Sequence, residues 1–385
     1  MFKLTPNVTR IQPPPISEVR DWLAESAQRR APLIDLCQAV PDYPPAPELL
    51  ERLQAALKDP QIARYTPDEG LPDVRESVSR WYARRYTAGP SASEICLTIG
   101  ASQAFWLAMT VLCQAGDEVL VQSPAYFDHP MGLQVLGVKP VYVSYDPENP
   151  EPDFERLSAL VTEKSRALLL VTPSNPTGYQ LSAASIRQLF SFCSEQKIAL
   201  VLDETYNAFA NGVPHSLFAD PKWSETFIQI ASFGKTFSLT GFRAGALVAG
   251  RQVIRQALKV QDSMAVCQPR LTQLAIQYGC DRLDQWVIEN AGMMRRRHDL
   301  FCQTFLQAGN RFELAASGGF FAWVRHPWPQ LDSRQAARKL LDEADMISLP
   351  GAAFGPDLDS YLRLAFGNIR GEEIPEAIAR LVALD

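Results

Sequence analysis

Histidine is scarce in this chain of 385 residues: the four copies (His129, His215, His298, His326) lie far apart and show no metal-ligand spacing. Basic charge is not in excess either. The 37 Lys and Arg residues stand against 43 Asp and Glu, a net charge of −6, which leaves no electrostatic footprint for nucleic acid or an anionic membrane. There is no CxxC pair, and the seven cysteines (Cys37, Cys96, Cys113, Cys193, Cys267, Cys280, Cys302) are odd in number and scattered. They read as reduced, mostly buried thiols of a cytoplasmic protein. No apolar run approaches the roughly 18 residues that a membrane span needs. The opening segment MFKLTPNVTR has no signal-peptide apolar stretch. Repeats and low-complexity tracts are absent too. A cytoplasmic enzyme without a resident metal is the class left standing.

What is present is ordinary globular composition, 46% apolar and 21% charged, in a chain longer than one hydrophobic core usually serves. Two domains are expected. Nine of the 29 prolines fall within the first 50 residues, at Pro13-Pro14-Pro15 and Pro41-Asp42-Tyr43-Pro44-Pro45 among other places. Such stretches are stiff and extended. Residues 1–45 therefore read as an arm with one helix near Ser17–Arg29, either a surface wrap or an active-site wall. Beyond it, seven apolar runs of strand length alternate with helical patterns: Ile95–Ile99, Glu118–Gln122, Val138–Val143, Ala167–Thr172, Ile198–Asp203, Phe227–Ser232 and Ala246–Ala249. That pattern predicts an α/β domain over 46–280 with a mostly parallel seven-stranded sheet covered by helices. After Arg251 the pattern is mainly helical, and residues 281–385 predict a smaller α+β domain, with a long charged segment around Gln285–Gly309 and strands at Phe320–Val324 and Tyr361–Phe366 flanking a helix near Ser333–Glu343.

In an open α/β sheet, ligands bind beyond the carboxyl ends of the strands. The first run ends in Gly100-Ala101-Ser102-Gln103, small residues whose free N–H groups open a helix, which is an anion site or merely a helix start. The fourth ends in TPSNPTG, where two prolines bracket Asn175, a turn or a fixed polar side chain. The fifth ends at Asp203, a helix N-cap or a buried acid that needs a cation or donor. The sixth leads through Ser232 into Lys235, with Arg243 eight positions later. An anion cradle, an oriented Asn, an acid and a Lys on four ends of one sheet suit a Schiff-base cofactor that carries a phosphate.

Asp203 with Tyr206, the run SFGKTFSLTGFRAG, the TPSNPTG segment, and Tyr65-Thr66-Pro67 ahead of Gly70-Leu71-Pro72 together resemble the class I/II aminotransferases of fold type I. The resemblance runs from about Pro41 to Gly367. It implies pyridoxal 5'-phosphate (PLP) as cofactor and ping-pong exchange of an amino group between an L-amino acid and a 2-oxo acid. It makes Lys235 the lysine of the internal aldimine and Asp203 the partner of the pyridine nitrogen. Tyr206 and Asn175 become the groups on the ring's phenolic oxygen. Ser232 and Arg243, with the backbone of Ala101 and Ser102, become phosphate ligands, and Tyr126 the ring-stacking aromatic. Tyr65 would reach the neighbouring subunit's phosphate, so a homodimer with shared active sites is implied, and Arg363 would take the substrate α-carboxylate. The resemblance extends to carbon–sulfur lyases and other elimination enzymes, and to non-catalytic PLP-binding regulators.

Two positions depart from the family pattern. Gly234 stands where a second Ser usually precedes the lysine, and Ala39 replaces a glycine whose backbone approaches the substrate carboxylate. Neither removes an essential chemical group. No residue is committed to a second, distal carboxylate. Arg270 reads as a surface arginine at a helix start, while Trp106, Phe127 and Phe354 suit either an aromatic pocket or the core.

Overall fold

The computed structural model describes residues 2–26, 29–144, 151–309 and 311–384. The large sheet consists of β1 (Ile95–Ile99), β2 (Glu118–Ser123), β3 (Lys139–Ser144), β4 (Ser165–Val171), β5 (Ala199–Asp203), β6 (Phe227–Ser232) and β7 (Ala244–Val248). Their spatial order is β1-β7-β6-β5-β4-β2-β3. Every pair from β6 across to β3 is parallel, whereas β7 runs antiparallel to both β1 and β6. The strands read as unbroken apolar runs because both faces are buried. Leu168, Leu170, Leu200 and Leu202 point to one face, under helices Pro72–Arg85 and Ala183–Gln196. Leu169, Val201, Ile228 and Ile230 point to the other, under Gly100–Leu112 and Arg251–Ala265.

A second sheet is built from β8 (Glu313–Gly318), β9 (Phe321–Arg325), β10 (Leu349–Pro350) and β11 (Tyr361–Ala365), all antiparallel in the order β10-β11-β9-β8. Helices Asp284–Gln307, Ser333–Ala344 and Ile374–Val382 accompany it. Strand β8 has no counterpart in the sequence reading. Its ELAASG run is half-buried at the sheet edge and rich in small residues of low β propensity, so it carries no apolar alternation.

The N-terminal arm is tied to this smaller sheet region by backbone as well as side chains. Ile34–Asp35 pairs in parallel with Met346–Ile347, and the Ala365 amide donates to the Leu36 carbonyl at 2.8 Å. Arg297 bridges Asp42 at 2.9 Å and also donates to the Gly367 carbonyl. The arm holds two helices rather than one, a single turn at Pro6–Thr9 and a longer one at Pro15–Glu25, shorter than Ser17–Arg29; residues 27–28 of that expected span lie outside the described residues. The fixed φ of Pro15 at the first helical turn explains the early start.

Candidate active site

The ends of β4, β5 and β6, the start of helix Gly100–Leu112, the arm and β11 enclose a cavity of about 470 Å³. Ala39, Ala101, Ser102, Tyr126, Asn175, Asp203, Tyr206, Ser232, Lys235, Arg243 and Arg363 all line it. Of the residues expected from the sequence, only Tyr65 stands elsewhere, 80% exposed. Arg270 begins the helix Arg270–Arg282 and donates to the Tyr65 carbonyl, outside the cavity. Trp106 and Phe127 reach the lining, while Phe354 is fully buried behind Phe127.

Asp203 is the last residue of β5, where a parallel strand delivers its side chain to the cavity floor with 4% exposure. One carboxylate oxygen accepts the Thr205 amide at 3.0 Å, and the other lies 3.2 Å from His129 Nε2. The His129 ring stacks on Phe105 with centroids 4.8 Å apart and meets Tyr126 edge-on at 5.2 Å. A buried carboxylate needs such donors, because leaving it unpaired costs several kcal/mol. The sequence reading assigned His129 no role. A single histidine within the short helix Asp128–Val135 carries neither periodicity nor ligand spacing, so only its place beside Asp203 reveals it.

Lys235 lies in the single helical turn Phe233–Thr236 that follows β6, and its Nζ donates to the Ala39 carbonyl at 2.8 Å. Burial strips water from the ammonium, and the guanidinium groups of Arg243 and Arg363 repel it. Its pKa falls to about 7, so the neutral, nucleophilic amine is well populated near neutral pH. At Gly234 an added Cβ would meet only ordinary contacts at 3.5 Å from Ser232 Oγ and the Leu239 carbonyl, so space does not demand glycine there.

The anion end is set by two glycines. Gly100 opens its helix at φ +75°, and a Cβ there would stand 2.7 Å from Arg243 Nη2. A Cβ on Gly245, in β7, would stand 2.7 Å from the Ala101 amide nitrogen. The backbones thus close up, leaving the first amides of the helix beside an exposed Arg243 and the Ser232 hydroxyl. Helix-start amides, a guanidinium and a hydroxyl form a phosphate cradle.

On the opposite wall, Arg363 is 1% exposed in the middle of β11. It donates to the Asn175 side-chain oxygen at 3.2 Å and to the Cys37 carbonyl, so neither acceptor is a carboxylate, and its Nε has no hydrogen-bond partner among the described residues. Burial lowers its pKa. A buried guanidinium held only by neutral oxygens is poised for an incoming carboxylate. Asn175 also donates to the Tyr206 hydroxyl at 3.2 Å; burial raises that hydroxyl's pKa, which keeps it protonated and able to donate. Tyr126 instead gives its hydroxyl proton to Asp128 at 2.6 Å, which fixes its ring along the cavity.

The family model described as "Aminotransferase class I and II" matches residues 31–381. The chain belongs to that family. Aromatic aminotransferase ISS1 of Arabidopsis thaliana is 26% identical over 376 residues, spanning 96% of this chain and 92% of the relative. The aspartate aminotransferase of Pyrococcus abyssi is 29% identical over 374 residues, 95% and 94% of the two chains. A Thermus thermophilus aspartate aminotransferase structure superimposes with a TM-score of 0.91 at 25% identity, covering 100% of both chains. The protein is thus an aminotransferase of the aspartate aminotransferase-like fold, and its cofactor is PLP. The residues present fit that cofactor: an anion cradle closed by glycines, a lysine whose neutral amine is well populated near neutral pH, and a buried acid on the floor. Among the described residues, no three or more His, Cys, Asp or Glu side chains are grouped to hold a metal ion, and no helix is long and apolar enough to cross a membrane.

Proposed function

We propose that this aminotransferase moves an amino group between an L-amino acid and a 2-oxo acid in two half-reactions of a ping-pong cycle, with Lys235 as the amine that holds the cofactor covalently. The observation that carries this reading is the Lys235 amine, with its pKa lowered to about 7, in one cavity with Asp203 and Arg363. PLP supplies an electron sink for the carbanion left when Cα loses its proton. Asp203 would pair with the ring nitrogen and favour its protonated form, and the His129 contact keeps that carboxylate aimed. Arg363 takes the substrate α-carboxylate in a bidentate grip. That grip would set the Cα–H bond toward Lys235, whose free amine would take the proton from Cα. Tyr206 and Asn175 would hold the ring's phenolic oxygen, Tyr126 would cover the ring, and Ser232, Arg243 and the Ala101 and Ser102 amides would hold the phosphate. The Ala39 carbonyl, which now holds Lys235, closes the substrate side.

In the same proposal the protein is a cytoplasmic homodimer in which Tyr65 of each subunit completes the other's phosphate site. The exposure of Tyr65 (80%), Phe2 (84%) and Leu4 (68%) supports an interface, and seven unpaired thiols support a reducing compartment. The arm (1–45), the large part (46–280) and the small part (281–385) are its units.

The test is an absorbance spectrum of the PLP-loaded protein before and after pools of amino acids are added. A visible cofactor band that moves to the near ultraviolet, and returns with a 2-oxo acid, is the expected result. A band that stays while ammonia and pyruvate are released from a sulfur amino acid would establish a lyase instead. Absence of any lysine-linked cofactor would remove Lys235 from its role.

A further inference from the structure

A second group of reactive side chains lies outside the cavity, where helix Asp284–Gln307 crosses β8. Cys302 and His298 are four residues apart and so share one helix face. His298 Nε2 stands 3.4 Å from Cys302 Sγ, and the Ser317 hydroxyl of β8 lies 3.3 Å from that sulfur and 3.1 Å from the same ring nitrogen. The other ring nitrogen, Nδ1, is 3.6 Å from the exposed carboxylate of Asp299. The charged groups facing the thiol are therefore His298 and Asp299 of its own helix, and β8 adds only the Ser317 hydroxyl. Partial burial works against ionising Cys302, but the hydrogen bonds of His298 and Ser317 outweigh it and bring the thiol below its ordinary pKa. His298 is raised in turn, chiefly by its bond to Cys302. Burial drives other thiols the opposite way: Cys37 to about 11, and Cys96, Cys113 and Cys193 to about 12. The proposed amino transfer makes no use of this cluster.

We propose that Cys302 is a nucleophilic thiol, set up by His298 and Ser317, that exchanges with small disulfides such as oxidised glutathione and thereby regulates the active site. In the exchange the Cys302 sulfur attacks one sulfur of the disulfide. One S–S bond forms as the other breaks, and the departing thiolate takes the proton held on His298, so no further oxidant is required. A route to the cavity is built in. Ser317 adjoins Gly318, whose backbone packs so closely on Gly178 that neither position has room for a Cβ. The Gly178 amide in turn donates to the Ser174 carbonyl at 2.8 Å, and the next residue is Asn175, which holds Arg363 and Tyr206. An adduct on Cys302 has to displace Ser317, and with it the edge of β8 that abuts this loop.

The experiment incubates the full-length holoenzyme with oxidised glutathione and maps the adduct by mass spectrometry without reductant. Cys302 is expected to react at least about tenfold faster than any other cysteine. His298→Gln is expected to slow the reaction at neutral pH at least about fivefold and shift its pH profile upward, with a smaller effect from Ser317→Ala. Faster uptake at Cys113 or Cys267, the other half-buried thiols, would overturn the assignment. So would a His298→Gln profile that overlays the wild type. The modified enzyme is expected to lose at least about half its turnover and regain it with dithiothreitol, while Cys302→Ser keeps its turnover in the disulfide. Complete modification with unchanged turnover would overturn the regulatory part. The mapping uses no turnover, so it stands or falls independently of the proposed amino transfer.

Discussion

The two walls of the cavity are made differently. The floor comes from consecutive parallel strands of one sheet: Asn175 after β4, Asp203 at the end of β5, and Lys235 one turn past β6. Each is placed by a strand whose neighbours are hydrogen-bonded on both sides and buried on both faces, so its position follows from the core. The opposite wall comes from β11 and the arm, segments more than 300 residues apart, joined by the Arg363 bond to the Cys37 carbonyl and the Ala365 bond to Leu36. The floor is fixed by strand pairing within the core, while the wall depends on a few long-range polar contacts. In the proposed reaction, chemistry falls to the floor and substrate binding to the wall.

Substitutions on the two walls should separate accordingly. Lys235→Ala is expected to lower kcat at least about 10⁴-fold, measured in single-turnover half-reactions, because both the cofactor linkage and the proton carrier are lost. Arg363→Lys, on the wall, should lower kcat/KM about 10- to 100-fold, mostly through KM, since an ammonium cannot reproduce the two-pronged grip. Equal losses in kcat from both would erase the distinction between floor and wall. PLP capture by the apoenzyme should rise with pH and level off above about pH 7. The sign follows from Lys235: its folded pKa is depressed, so the reactive amine is protonated below that value, and stopped-flow absorbance at several pH values tests it. His129→Asn should cost less, about 2- to 10-fold in kcat, the scale of one hydrogen bond to Asp203. Tyr65→Phe is expected to have the smallest effect, about a 2- to 5-fold weaker PLP affinity in equilibrium titration with kcat at saturating cofactor unchanged.

The floor was legible in the sequence because parallel strands buried on both faces leave long apolar runs, and the residues after each run fall into the crevice. The wall was harder to read. Arg363 could be placed through family resemblance, but its unpaired Nε and its bond to Cys37 depend on the docking of the arm. Whether the proline-rich arm wraps the surface or lines the site was open in the sequence. The Ala39 carbonyl on Lys235 and the pairing of Ile34–Asp35 with Met346–Ile347 decide that it does both. Strand β8, with its small residues at a sheet edge, gave no periodic signal at all.

By itself, then, the order of residues determined the α/β core and the identity of the floor residues, since local apolar period and strand-end position are properties of short segments. Tertiary structure alone decided that His129 serves Asp203, that Gly178 and Gly318 must both lack a side chain, and that Ser317 meets the Cys302–His298 pair. Those contacts join segments from different elements. Such partners follow from how helices and sheets pack, and no local pattern in either segment records them.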